Sequence, residues 1–337
     1  MDVLKEVNEA EERIKQYIRK TPLEFSPYLS RITDSRVFLK LENIQITNSF
    51  KVRGAFNKLI YLKNQGIHSN IITASTGNHG HAVAYALDKL GLEGTIYLPF
   101  TTKTNKVESL EEYNVNIEFY GYDCLQTELY AQKKAKEEKA HYVSPYNDIH
   151  IIAGQGTIAR EIESQETNID CIFVPVGGGG LISGIAGYLK ESKRTKKTSI
   201  FGCQPANSPV MSKSVEAGKI IDYDVNPTIS DASAGGIEKG SITFDFCFKY
   251  VDDFIIVSEE EIKEAIEIIY DKHSMIAEGA GALSVASFLK EQEKFANKTV
   301  VLIISGGKLP REVLAEIICK KEKEKIFVNP LDSLRQP

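Results

Sequence analysis

The sequence predicts an α/β protein built from two open, twisted and mostly parallel sheets. Short apolar runs alternate with segments of helical periodicity along almost all of the 337 residues, and this alternation is typical of parallel strands covered by helices. Nine runs resemble strands, which is many for one sheet, so two sheets with a cleft between them are expected. The predicted strands are residues 37–41, 71–74, 95–98, 116–119, 141–143, 171–176, 198–203, 253–257 and 299–304.

Helices are predicted between most of these strands from their 3.6-residue apolar period. The N-terminal residues 1–20 form a charged amphipathic pattern, which is unlike a signal peptide. In such folds ligands bind where strands end and helices begin, and the unusual motifs of this chain fall at those junctions. The predicted helices are residues 51–62, 77–90, 151–163, 182–190, 259–271 and 310–320.

Composition excludes several classes of partner. The net charge is −5 and no basic stripe is present, so nucleic acid is not an expected partner. The five cysteines are scattered, odd in number and without Cys-x-x-Cys spacing, which favours a reducing compartment over a disulfide framework or a zinc site. No apolar run approaches the length of a membrane span. A cytoplasmic protein without membrane contact is therefore expected.

Lys51 is the most informative residue. It lies in the run Thr-Asn-Ser-Phe-Lys-Val-Arg-Gly-Ala, residues 47–55, in the first turn of a predicted helix. The helix dipole is already positive there, and burial would lower the pKa of the amine. A lysine with a lowered pKa is what Schiff-base chemistry requires. For any single lysine the alternative is a solvated side chain near a helix start.

The run Ser-Thr-Gly-Asn-His-Gly at residues 75–80 directly follows a predicted strand. Hydroxyls, glycines and free backbone N–H groups at a helix start form an anion site, and a carboxylate fits it. The alternative is a simple helix N-cap by Ser75 or Thr76. A cap needs one such residue, whereas six consecutive residues here are small or polar.

Four glycines, Gly177, Gly178, Gly179 and Gly180, join another predicted strand to a helix. They allow the backbone to curl around a phosphate at the positive end of the helix dipole. No lysine follows them as in a P-loop, and Ile182 occupies the last glycine position of a dinucleotide fingerprint. A phosphate site is favoured over a tight turn, for which one or two glycines would suffice.

Two further glycine-rich runs are weak signals alone. Residues 304–308, Ile-Ser-Gly-Gly-Lys, close the last predicted strand, and residues 278–282, Glu-Gly-Ala-Gly-Ala, indicate close helix packing. The histidines show no metal spacing, and no Ser/His/Asp constellation can be inferred from their order.

A reactive lysine, a phosphate loop and a carboxylate loop are what pyridoxal phosphate and an amino acid require together. The chain resembles the serine/threonine dehydratase and serine racemase family of fold-type II pyridoxal-phosphate enzymes, whose fold is similar to that of the tryptophan synthase β-subunit. The match extends from about residue 21 to residue 308. Its marks are Lys-Leu-Glu-Asn at 40–43, Ser-Phe-Lys-Val-Arg-Gly-Ala at 49–55, Ser-Thr-Gly-Asn-His-Gly at 75–80, the glycine run, and Ser-Gly-Gly at 305–307.

The resemblance implies a role for each matching position. Lys51 would form the Schiff base and would remove the Cα proton of the substrate. Thr76 would stand where racemases carry a second base. Cofactor contacts are implied for Phe50 with the ring, Asn78 with the 3′-oxygen, Gly177 to Gly180 with the phosphate and Ser305 with the ring nitrogen. Substrate-carboxylate contacts are implied for Ser75, Thr76, Gly77 and His79.

The implied reaction is α,β-elimination of water from a β-hydroxy amino acid. L-Threonine would give 2-oxobutyrate and ammonia, and L-serine would give pyruvate. A serine beside the ring nitrogen keeps it less protonated than a carboxylate would, which favours β-elimination over transamination.

Three positions depart from the family pattern. Thr76 replaces the serine of racemases, Gln204 and Val210 occupy the places of metal-binding carboxylates, and Lys308 replaces the asparagine after Ser-Gly-Gly. No divalent-metal site is therefore expected. Three alternatives stay open: a hydroxyectoine-utilisation dehydratase, favoured by residues 231–243, an amino-acid racemase, and a cofactor-binding protein without catalysis.

The resemblance also implies the domain organisation. Residues 1–63 and 146–337 would form a large cofactor-binding domain, and residues 64–145 a small domain that carries the substrate loop. The C-terminal regulatory domain of isoleucine-inhibited dehydratases is not expected, and a homodimer is.

Overall fold

A computed structural model describes residues 2–326, with side chains up to Cys319. This part of the chain forms ten strands and thirteen α-helices. The strands are β1 (Leu23–Phe25), β2 (Arg36–Leu41), β3 (Ile71–Ala74), β4 (Gly94–Leu98), β5 (Asn116–Phe119), β6 (His141–Tyr142), β7 (Cys171–Pro175), β8 (Ser199–Pro205), β9 (Asp253–Val257) and β10 (Thr299–Ile304). The helices are α1 (Val3–Ile14), α2 (Pro27–Thr33), α3 (Lys51–Asn64), α4 (Asn78–Leu90), α5 (Thr104–Glu111), α6 (Cys124–Glu137), α7 (Ile149–Gln165), α8 (Gly180–Glu191), α9 (Val210–Glu216), α10 (Ile242–Tyr250), α11 (Glu259–His273), α12 (Gly279–Lys290) and α13 (Arg311–Ile326).

The strands form two sheets, as predicted. The larger sheet has the order β1-β2-β10-β7-β8-β9, and the smaller has the order β5-β4-β3-β6. All pairings are parallel except that of β1 with β2. The predicted fold class is thus confirmed.

All nine predicted strands are present with small shifts at their ends, and β1 was missed. That strand has only three residues and pairs antiparallel at the sheet edge, so it is too short to show a period of two. Strand β7 is buried throughout because Ile172 and Val174 pack in one apolar cluster and Phe173 in another. Burial on both faces explains why this segment of the sequence is continuously apolar.

Helix α3 packs against elements of the smaller sheet. Its Phe56 and Leu59 share an apolar cluster with Ile71 of β3 and Val83 of α4. The strands of the smaller sheet lie within residues 71–142, and all other strands lie outside that segment. The predicted domain boundaries after residues 63 and 145 stay a prediction. No helix in the described part of the chain has the length and apolar character needed to cross a membrane.

Candidate functional site

The start of α3 is held beside the end of β10. Strands β2 and β10 are parallel neighbours, with Leu41 opposite Ile304, so the segments that follow both strands leave the sheet together. The Phe50 N–H donates to Ser305 O (3.1 Å), and the Gly307 N–H donates to Asn48 O (2.9 Å). This places Lys51, the first residue of α3, beside the Ser-Gly-Gly run.

The Lys51 amine has a neutral partner. Its Nζ donates to Pro145 O at 2.9 Å, and no carboxylate among the residues with described side chains forms an ion pair with it. Burial lowers the pKa of Lys51 to about 8, although the charges of Glu278 and Glu128 oppose this shift. The predicted direction is therefore confirmed, and roughly a tenth of the amine is unprotonated at pH 7.

Arg53, two residues further along α3, is fully buried and fully paired. Its Nε lies 2.7 Å from Glu42 Oε2, and its Nη1 lies 2.7 Å from Glu161 Oε1. Lys40 Nζ also reaches Glu161 Oε2 at 2.6 Å. These four side chains, Lys40, Glu42, Arg53 and Glu161, form the buried ion network. The network accounts for Lys40, Glu42 and Arg53 in the sequence motifs, because it fixes the helix that carries Lys51.

A cavity of about 490 Å³ opens in front of Lys51. All four predicted substrate residues, Ser75, Thr76, Gly77 and His79, line it. Its lining includes Lys51, Ser75, Thr76, Gly77, Asn78, His79, His81, Lys106, Glu128, Asp231, Glu278 and Lys308.

The predicted carboxylate loop forms the N-terminus of α4. The N-cap is Gly77, which provides no side-chain cap, so the simpler interpretation of Ser75 or Thr76 as the cap does not hold. Ser75 Oγ instead accepts from the Gly77 N–H at 3.2 Å. The first backbone bond of the helix runs from the His81 N–H to Gly77 O. The N–H groups of residues 78–80 therefore remain available for an anion at the cavity wall.

The ring of His79 is buried and neutral. Its Nε2 lies 3.0 Å from Val143 O, so this nitrogen carries the proton, and Nδ1 is buried without a partner. Burial and the Lys51 charge lower the pKa of His79 to about 3. At the predicted carboxylate site His79 would therefore contribute its backbone N–H, since its ring N–H already donates to Val143 O.

The four glycines form a loop without space for side chains. A Cβ on Gly180 would lie 3.0 Å from Cα of Tyr146, and one on Gly177 would lie 2.9 Å from Cα of Ser233. Gly179 has φ of +86° and is the N-cap of α8, again without a side-chain cap. A tight turn alone would not need glycine at each position. The bare backbone and the free N–H groups of α8 fit a phosphate group.

The predicted cofactor residues line one small cavity of about 50 Å³ beside the larger one. Ser305 Oγ has no hydrogen-bond partner among the described side chains and backbone, which leaves it free for a ring nitrogen. The geometry therefore brings together the residues that the sequence proposed for pyridoxal phosphate, and their chemistry fits that group. These residues are Phe50, Lys51, Asn78, Gly177, Gly178, Gly179, Gly180 and Ser305.

Glu278 is a site residue that the sequence interpretation missed. Its carboxylate accepts from Asn78 Nδ2 (2.8 and 3.0 Å) and from the Lys308 N–H (3.2 Å), and it lines both cavities. Burial raises the pKa of Glu278 to about 7. The sequence interpretation of residues 278–282 as close helix packing holds for Gly279 and Gly281 but overlooks the acid at the N-cap of α12. Because Asn78 is paired with Glu278, its predicted contact with the 3′-oxygen stays a prediction.

The residues predicted not to bind metal have structural contacts. The Gln204 amide donates to Val176 O at 3.2 Å and accepts from the Ser212 N–H at 2.8 Å, and Val210 is buried in the core. Within the part of the chain that the structure describes, no group of three His, Cys, Asp or Glu side chains is placed to hold a metal ion.

Comparison with known proteins agrees with this site. A family model described as pyridoxal-phosphate dependent enzyme matches residues 14–306. The chain is 40% identical over 308 residues to the catabolic L-threonine dehydratase TdcB of Staphylococcus aureus (strain USA300), covering 90% of this chain and 88% of that protein. The resemblance to the serine/threonine dehydratase and serine racemase family is thereby confirmed.

Solved structures give the same result. The processed form of threonine deaminase isoform 2 from Solanum lycopersicum superposes with a TM-score of 0.88 at 30% identity, over 94% of this chain and 92% of that one. Maize serine racemase superposes with a TM-score of 0.86 at 29% identity, over 96% and 98%. The chain belongs to the pyridoxal-phosphate dependent enzyme family, among the relatives of the threonine ammonia-lyases, and its cofactor is pyridoxal phosphate.

Proposed function

We propose that this protein is an ammonia-lyase that removes water from a β-hydroxy amino acid, with L-threonine and L-serine as substrates. The products would be 2-oxobutyrate or pyruvate and ammonia. The observation that carries the proposal is the position of the Lys51 amine, whose pKa is lowered to about 8. It lies between a glycine loop suited to phosphate and a helix N-terminus suited to carboxylate.

Each residue group has one task in this proposal. Pyridoxal phosphate supplies an electron sink that stabilises negative charge at Cα of a bound amino acid. Residues 177–180 would hold its phosphate, and Phe50 and Ser305 would contact its ring. The α4 N-terminus would orient the substrate by its carboxylate. Lys51 Nζ would take the Cα proton, which an amine with a lowered pKa can accept near neutral pH.

The proposed reaction releases water and ammonia from the substrate. The Cα proton and the β-hydroxyl leave together as water, and hydrolysis of the remaining enamine gives a 2-oxo acid and ammonia. Glu278 touches Asn78 and the backbone of Lys308, so in this proposal it positions those groups and takes no proton from the substrate.

The test is a substrate panel with the purified holoenzyme. L-Threonine, L-serine, D-serine and hydroxyectoine are supplied separately, and 2-oxo acid, ammonia and product chirality are measured. The proposal expects 2-oxo acid and ammonia in equal amounts from both L-amino acids. No 2-oxo acid from either would refute it, and turnover of hydroxyectoine alone would favour that alternative. A spectral change with L-threonine without product would favour the non-catalytic alternative.

Racemisation is a second candidate, supported by one observation. The Thr76 hydroxyl lines the same cavity as Lys51, and one structural relative is a serine racemase. A second proton donor at Cα would allow return of a proton to either side. If Thr76 has this role, Thr76→Val should lower the formation of D-serine from L-serine far more than it lowers pyruvate formation. Absence of D-serine from the wild-type enzyme would reject this function.

We further propose that the protein is cytoplasmic and acts as a homodimer, with the large and small domains divided as the sequence predicts. The scattered cysteines support a reducing compartment, since all five are free, three of them buried. The homodimer rests on the family resemblance alone. Sedimentation of the holoenzyme at micromolar concentration should give twice the chain mass of 37.5 kDa.

A further inference from the structure

We propose that Lys308 and Lys106 form a second anion-binding subsite in the substrate cavity, and that the preferred substrate is a β-hydroxy amino acid whose side chain ends in another carboxylate. This inference rests on the proposed elimination and specifies its substrate class.

The proposal rests first on the unpaired amine of Lys308. Lys308 follows the Ser-Gly-Gly run, and its side chain lines the cavity that contains Lys51. Its backbone N–H is bonded to Glu278, but its Nζ has no hydrogen bond or ion pair with any described residue. Burial lowers the pKa of Lys308 to about 8, although the charge of Glu278 opposes this shift. A half-buried ammonium whose nitrogen has no hydrogen-bond or ion-pair partner is costly, and structures normally avoid it unless a ligand completes the pair.

A second lysine, Lys106, lies at the same cavity. It lies on α5, and its charge also lowers the pKa of Lys308. It forms no ion pair with a described residue either. His81 completes this part of the wall. Its Nε2 lies 2.9 Å from the Tyr113 hydroxyl, and burial and the Lys308 charge lower the pKa of His81 to about 4. Two unpaired ammonium groups therefore face one cavity beside a neutral imidazole.

The acids of the cavity compensate this pair only in part. The Glu278 charge attracts Lys308, but its carboxylate forms its hydrogen bonds with Asn78 and the Lys308 backbone, and burial raises its pKa to about 7. Burial and the nearby Glu238 raise the pKa of Glu128, which lies within hydrogen-bond distance of Tyr142. Asp231 is exposed at the cavity edge and forms no ion pair with a described residue. An anion supplied by the substrate is the missing partner.

The chemistry of the cavity then selects the substrate class. The N-terminus of α4 is suited to the α-carboxylate, and the two lysines are suited to a second carboxylate. Charge-assisted hydrogen bonds from two ammonium groups would favour a dicarboxylate over L-threonine, whose side chain ends in an uncharged methyl group. The cavity of about 490 Å³ has space for the longer side chain.

The experiment compares kcat/KM for L-threo-3-hydroxyaspartate and for L-threonine with the holoenzyme at low salt. We expect the ratio to favour the dicarboxylate by about tenfold or more, and Lys308→Gln to lower this ratio by about tenfold. Lys106→Gln should lower it in the same direction by less. Lys103→Gln is the matched control, because Lys103 is an exposed lysine next to α5 that does not line the cavity. The control should leave the ratio unchanged.

A binding measurement separates this inference from the elimination itself. Calorimetry with succinate and propionate requires no turnover, and succinate should bind about tenfold more tightly, an advantage that Lys308→Gln removes. Equal binding of both acids, or a substrate ratio unaffected by Lys308→Gln, would overturn the subsite. Tight succinate binding without 2-oxo acid from any substrate would uphold the subsite and refute the proposed elimination.

Discussion

Lys51 and Arg53 lie two residues apart on α3, and the structure shifts their pKa values in opposite directions. Arg53 is fully buried and contacts Glu42 and Glu161 through all three guanidinium nitrogens at 2.7 to 3.0 Å. Lys51 donates only to Pro145 O. The carboxylates raise the pKa of Arg53, although burial acts against them, whereas burial prevails at Lys51 and lowers its pKa to about 8.

Burial alone therefore does not make a charged side chain reactive. Burial penalises the charged form at both positions, and the neighbouring carboxylates decide the outcome. The buried ion network keeps its charges and fixes α3. The cavity groups Lys51, Glu278 and Lys308 lack full compensation, so their pKa values move towards neutrality. This is the arrangement expected where protons are exchanged.

The largest effect is expected from Lys51→Ala. Removal of the amine leaves no proton acceptor at its position, so kcat for L-threonine should fall by about a thousandfold or more. Circular dichroism should show an unchanged fold, because Lys51 contributes one hydrogen bond. Lys197→Ala, at an exposed position, is the control and should keep full activity. An active Lys51→Ala enzyme would refute the role given to this residue.

Arg53→Met should produce the largest loss of stability. The change leaves Glu42 and Glu161 buried with much of their compensation removed, which costs about 3–5 kcal/mol of unfolding free energy. Urea denaturation followed by circular dichroism measures it. Lys213→Met breaks an exposed pair with Glu216 and should change the unfolding free energy by less than about 1 kcal/mol. Similar losses in both variants would contradict the contrast between network and surface.

The pH dependence of the unfolding free energy should show that the His79 ring is held neutral in the folded protein. The pKa of His79 is lowered to about 3 in the fold but is near 6.5 in the unfolded chain. Below pH 6.5 the unfolded chain therefore takes up a proton at His79 that the folded protein does not, and this residue lowers stability by about 1.4 kcal/mol per pH unit until about pH 3. His81, whose pKa is lowered to about 4, adds to the slope. His79→Gln should remove the His79 contribution and leave a shallower slope, while His68→Gln, at an exposed position, should leave the slope unchanged. An unchanged slope in His79→Gln would show that the ring is not held neutral.

The smallest effect is expected from Glu278→Gln. The charge of Glu278 raises the pKa of Lys51 and thereby opposes the effect of burial. Its removal should lower the pKa of Lys51 further, as measured by titration of the amine in the cofactor-free protein. A higher pKa in this variant would show that Glu278 acts on Lys51 by some route other than its charge.

The sequence was sufficient for the fold class, for the nine main strands and for the set of residues that meet at the small cavity. It was sufficient because strand–loop–helix junctions in parallel sheets place their motifs at one edge, as the 75–80 loop and the four glycines show. The family resemblance then implied which part of the cofactor or substrate each motif would contact around Lys51.

The remaining features depend on contacts distant in sequence. Glu278 reaches Asn78 across 200 residues, and Arg53 reaches Glu161 across 108, so no local pattern indicates either pair. Strand β1 has three residues and no measurable period. The neutral state of His79 depends on a bond to Val143 O, which only the packed structure reveals.

The most direct test of the contrast between Lys51 and Arg53 is the pKa of the Lys51 amine itself. Competitive acetylation of the cofactor-free protein with a trace of reagent, followed across pH by mass spectrometry of the peptide that contains Lys51, measures it. The structure predicts half-maximal reactivity at about pH 8. A midpoint near 10.4, the value of an ordinary lysine, would contradict the claim that unpaired burial sets the reactivity of this residue.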